Sequence, residues 1–180
     1  MEWLNEVAAW VWARHHNLLS WYIRPLFLLP FCYFAYRRSG KGIMVTVIAL
    51  ATSMFWFPAP AEPDLRAISM LAAERDYLLG EWTLWKVAIA LLVPAGLGAL
   101  GLAFWKRSMW YGMALINAMV LFKIGWTFVF ADAEGALLHL LPAAIGLGIV
   151  DATIVLAARR FTHRNVPREP LGVPGFSADL

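Results

Sequence analysis

Cysteine is nearly absent from this 180-residue chain: Cys32 stands alone, so no internal disulfide and no cysteine-based metal cluster is expected. Charge is scarce as well, at 15% of residues, where a soluble domain carries about a quarter. No GxSxG elbow, P-loop, HExxH or pair of intramembrane aspartates occurs, and Cys32 sits between Phe31 and Tyr33 without a neighbouring base. The chain therefore reads as non-enzymatic, with no catalytic residue. Histidine is sparse. Adjacent His15 and His16 point apart on a helix, and His139 lacks the second axial histidine of a membrane haem, so neither metal nor cofactor is expected. No repeat of 20 to 50 residues marks duplicated halves.

What remains is apolar: 61% of residues, with mean hydropathy +0.63. A single small domain cannot bury that much surface internally, so most of it must face lipid. The same composition argues against disorder and against a nucleic-acid partner, despite a pI near 9.2. A helix needs about 20 mostly apolar residues to cross the hydrocarbon. Runs at 42–57, 82–105, 109–131 and 135–158 meet or approach that length, and 18–36 does so despite Arg24, Pro25 and Pro30. The fold class expected is an all-α polytopic membrane bundle of about five transmembrane helices, one domain over 1–160 with a flexible cytoplasmic tail at 161–180.

Two amphipathic helices at the interface complete it. At 1–14, Trp3, Val7, Trp10 and Val11 share a face. At 64–79, between spans two and three, Leu65, Ile68, Ala72 and Leu79 are expected on the lipid side and Glu74, Arg75 and Asp76 on the water side. Nine of the fifteen Lys and Arg residues fall on one side of the five-span alternation and five on the other, with Lys123 inside a span. The basic side is the cytoplasmic one, which puts the N-terminus outside and the C-terminus in the cytoplasm of a bacterial inner membrane. Trp21, Trp56, Trp82, Trp85, Trp105 and Trp110 fall at span ends and read as interfacial anchors; Trp126 lies within a span.

Charges within hydrocarbon cost about 2.5–3.5 kcal/mol each at a helix centre, so they mark the candidate site. Lys123 and Asp151 are the two deep ones, with Asn117, Trp126 and Thr127 completing a polar lining. The depth offset between Lys123 and Asp151, about 10 Å, leaves a direct pair and two separate sites both open. Ala144, Gly148 and Ala152 form a small-residue ridge beside Asp151 that suits close helix packing. A further polar cluster, Asp132, Glu134 and His139, is expected at the outer end, though not as a metal site. These features point to a carrier or channel for a small solute or ion. The alternative is a non-catalytic accessory subunit of a larger membrane complex. Membrane lipid is the expected partner throughout, together with a small solute or ion in the first case and a homo-oligomer or larger assembly in the second.

Overall fold

The computed structural model describes the backbone of residues 2–130 and 133–164 and the side chains of residues 3–128 and 140–160. Among these every regular element is helical: α1 (Glu2–His15), α2 (Leu19–Ile23), a 3-10 turn (Arg24–Phe27), α3 (Leu28–Tyr36), α4 (Gly40–Thr52), a second 3-10 turn (Ser53–Phe55), α5 (Leu65–Leu79), α6 (Leu84–Trp105), α7 (Met109–Phe130) and α8 (Ala133–Arg164).

Three helices are long and apolar enough to span a membrane, over Leu84–Trp105, Met109–Phe128 and Leu140–Arg160. Five spans are therefore too many. The stretch Leu19–Tyr36 reaches spanning length only together with Trp3–His15, from which it is bent by 78°, giving at most a fourth. At the break between them, the Asn17 carboxamide oxygen accepts from the Leu19 amide at 3.0 Å and its Nδ2 donates to the Pro58 carbonyl at 2.9 Å. Residues Gly40–Phe55 form a shorter apolar helix. Thirteen α-helical residues and a three-residue 3-10 turn rise only about 25 Å, short of the roughly 30 Å of hydrocarbon.

The core is built where α3, α6, α7 and α8 meet, around Phe31, Ala35, Leu100, Phe104, Ile116, Val150 and Ile154. On α8 the buried stripe is Pro142, Gly146, Val150 and Ile154, spaced every four residues. Gly146 lies so close to the Pro25 ring that a Cβ would collide with it. The expected small-residue ridge is not the packing face: Ala144, Gly148 and Ala152 are exposed, and Gly148 has open space around it.

At the opposite end from α5, two turns are built alike. Arg38 and Arg107 both adopt left-handed φ, 55° and 61°, and each turn returns two amides to the preceding helix. These are Schellman closures, which satisfy carbonyls at a helix C-terminus. The turns also exchange contacts: Arg38 Nε donates to the Trp105 carbonyl at 3.1 Å, and the Arg107 guanidinium lies 5.6 Å from the Tyr36 ring centroid. The basic residues of the α3–α4 and α6–α7 connections thus gather at one end of the bundle.

Helix α5 docks through a face to which the sequence reading assigned no role. Ala67 and Leu71 are buried with Trp21 in a second apolar cluster, to which Trp12 and Leu18 add. Leu65, Ile68, Ala72 and Leu79, expected on the lipid side, are exposed. The two faces lie about 100° apart around the helix, and Glu74, itself exposed, borders the buried one. Asp64 caps α5 by accepting from the Arg66 amide at 2.8 Å, and its carboxylate also takes the Arg66 guanidinium at 2.9 Å. Those contacts hold the Asp64 carboxyl down at about 2.

Candidate functional site

A cavity of about 280 Å³ opens between the α2–α3 segment, α5, α7 and α8. Its polar lining comes from His15, Arg24, Glu74 and Lys123, four residues from four different parts of the chain. Trp21, Pro25, Leu28, Val120, Ala143 and Leu147 supply apolar wall. Each polar group is brought there by a local feature. The break after α1 turns His15 toward the following helix, where its carbonyl accepts from Trp21 Nε1 at 3.0 Å. Arg24 stands at the start of the 3-10 turn, immediately before Pro25, whose fixed φ suits a first helical turn. On α5, Glu74 stands one turn beyond buried Leu71. Lys123 follows Val120 by one turn on α7.

The charges in this cavity interact without neutralising one another in a contact pair. Glu74 lies within electrostatic reach of Arg24 and Lys123, and the two cations within reach of each other. Among the described residues the ion pair within 4 Å is Arg66–Asp64, remote from the cavity, and Lys123 Nζ makes no hydrogen bond. Arg24 donates to His15 Nδ1 at 3.1 Å.

Asp151 does not join this cavity. Asn117 Nδ2 donates to its two carboxylate oxygens at 3.0 and 3.3 Å, and to the Met113 carbonyl at 2.9 Å. The two residues lie close to the middle of the apolar stretches Met109–Phe128 and Leu140–Arg160. Lys123 and Asp151 are thus separate sites. They remain aligned, however: Ala143, Leu147 and Asp151 follow one another every four residues on α8, while Lys123, Val120 and Asn117 do so every three on α7. The Val120 and Leu147 side chains, both packed on the core, form an apolar layer between the cavity and the Asn117–Asp151 pair.

Trp126 and Thr127 are not part of the cavity wall. Trp126 stacks on Phe122 at 6.2 Å, and the Thr127 hydroxyl donates to the Lys123 carbonyl at 2.9 Å, within its own helix. The side chains of Asp132, Glu134 and His139 lie outside the described residues, as does the segment 165–180. No group of three or more His, Cys, Asp or Glu side chains that could hold a metal occurs among the described residues.

Sequence reasoning missed His15, Arg24 and Glu74 as cavity residues. Arg24 alone left a signal, an arginine inside an otherwise apolar run. Lys86 is a further surprise: it is buried at 6% exposure, its ammonium donates to the carbonyls of Tyr77 and Gly80, and the rings of Tyr77 and Trp82 flank it at 4.5 and 4.8 Å. It joins the end of α5 to the start of α6. Comparison with known proteins finds no family, no curated protein and no solved structure that matches the chain.

Proposed function

We propose that this protein is an integral membrane carrier or channel for a small solute, with the cavity between the α2–α3 segment, α5, α7 and α8 as its solute site. One observation carries the reading: Lys123, within an apolar helix of spanning length, keeps an ammonium that no described residue pairs and turns it into a cavity. Desolvating a cation without a partner is expensive, and an intramembrane charge is retained where it has work to do. The Asn117–Asp151 pair, further along the same two helix faces, offers the next polar group on a route across the bundle. An accessory subunit would explain the exposed apolar helices equally well but leaves the charged cavity without a purpose.

The gathering of Arg37, Arg38, Lys41, Lys106 and Arg107 at one end supports a cytoplasmic assignment for that end. The cavity then lies in the outer half of a bacterial inner membrane protein. The test is flux through proteoliposomes of the full chain, with a panel of permanently charged and zwitterionic small solutes. Flux of a panel member that falls at least tenfold in Lys123→Gln supports the reading. Equal flux in wild type, Lys123→Gln and empty liposomes overturns it.

A further inference from the structure

The chemistry of the cavity narrows its ligand. Arg24 and Lys123 bring two positive charges and Glu74 one negative; the arginine, lysine and carboxylate side chains of the described lining therefore sum to one positive charge in excess. A ligand of one negative charge balances it. Its shape follows from the walls, which away from these groups are aromatic and aliphatic: Trp21, Pro25, Leu28, Val120 and Leu147. A compact inorganic anion would leave that surface wet and unfilled, whereas a chain or ring on the anion would cover it at about 25 cal/mol per Å² of apolar area. The volume, about 280 Å³, falls at the lower edge of ligand pockets, about 300–1,000 Å³, and holds a head with a short stretch of chain rather than a whole lipid.

From this balance we infer that the cavity binds a monoanionic amphiphile, its oxyanion between the Arg24 guanidinium and the Lys123 ammonium and its apolar body against Trp21, Leu28, Val120 and Leu147. The inference rests on the reading of the cavity as the solute site. Arg24 can meet two oxygens of a carboxylate, sulfonate or phosphodiester at once, while Lys123 acts as a point charge. Glu74 lies within reach of both cations and disfavours a second negative charge on the ligand. A free amphiphile and the phosphodiester of a membrane lipid share this chemistry.

The test uses the full-length protein in a neutral detergent and radiolabelled octanesulfonate, which stays charged at any working pH. Octanesulfonate is expected to bind saturably, with octanol and methanesulfonate at least tenfold weaker as competitors. Lys123→Gln is expected to weaken binding at least tenfold and Lys123→Arg to retain it, which separates loss of charge from loss of fold. Competition by short-chain phosphatidylglycerol supports the inference and identifies a lipid headgroup as the source; its failure with octanesulfonate still bound supports it and identifies a free amphiphile. Octanol competing as well as octanesulfonate, or Lys123→Gln binding as wild type does, overturns it. Saturable, Lys123-dependent binding without flux overturns the carrier reading alone.

Discussion

Asn117 places one amide nitrogen 3.0 and 3.3 Å from the two carboxylate oxygens of Asp151, near the middle of two apolar helices that pack antiparallel. That single donor fixes how α7 and α8 register, because a carboxylate at such a depth has few other places to find a proton donor. It also leaves Lys123 to the cavity, beyond the layer of Val120 and Leu147.

Removing the donor should therefore hurt more than neutralising the acceptor. Asn117→Leu leaves a half-buried carboxylate without it and is expected to lower stability by about 1–3 kcal/mol. Asp151→Asn keeps an amide oxygen to accept the same bond and should lose less. Denaturant unfolding in mixed micelles, followed by circular dichroism, checks the order of the two.

Gly146 sets how closely α8 approaches Pro25, at the edge of the cavity. A methyl group there meets a ring that cannot rotate away, so Gly146→Ala is expected to destabilise by about 1–3 kcal/mol. Gly148→Ala, whose Cβ enters open space, serves as the control and should leave the midpoint unchanged.

Lys86 closes α5 onto α6 through two carbonyl acceptors at the end of α5. Lys86→Met keeps the stem and removes the donors; hydrogen bonds to a charged group contribute about 1.5–3 kcal/mol. Amide exchange in α5 should accelerate markedly more than in α7, and uniform exchange across both would contradict the assignment.

The Asp64 cap gives α5 a defined response to acid. Its carboxyl is held at about 2 by Arg66 and the helix amides, below the ordinary aspartate value of about 3.9. The folded form is the better acid, so the cap's contribution is complete above about pH 4 and is lost as the pH falls toward 2. Amide protection at the first turn of α5 should stay level from pH 7 to 5 and drop only below; Asp64→Ala should show low protection throughout.

The all-helical character and the three long helices were legible in the sequence, because an uninterrupted apolar run of 20 residues has few alternatives to a helix. The expected limits 82–105 and 109–131 also fall within two residues of the ends of α6 and α7. The first third of the chain was not legible. Composition counts 18–36 as one span, but the structure divides it into α2, the 3-10 turn at Arg24–Phe27 and α3, and it counts as a span only when joined to Trp3–His15 across a 78° bend. Helix α5 shows a different limit: its apolar residues allow two faces about 100° apart, and only the partner, Trp21, decides that Ala67 and Leu71 turn inward. The cavity inherits that ambiguity. Lys123 and Asp151 stand out by themselves as charges in apolar runs, whereas Glu74 is one exposed acid among several, and only the docking of its helix sets it at the cavity.

Lys123 should face a water-accessible cavity while the packed core beside it stays dry. Cys32 supplies an internal reference, since it is buried in the core at 5% exposure. In proteoliposomes, wild-type Cys32 and a Lys123→Cys variant carrying Cys32→Ala should be treated with a membrane-impermeant, positively charged thiol reagent. The thiol at position 123 is expected to react at least tenfold faster than Cys32. Reaction no faster than that of Cys32 would contradict it.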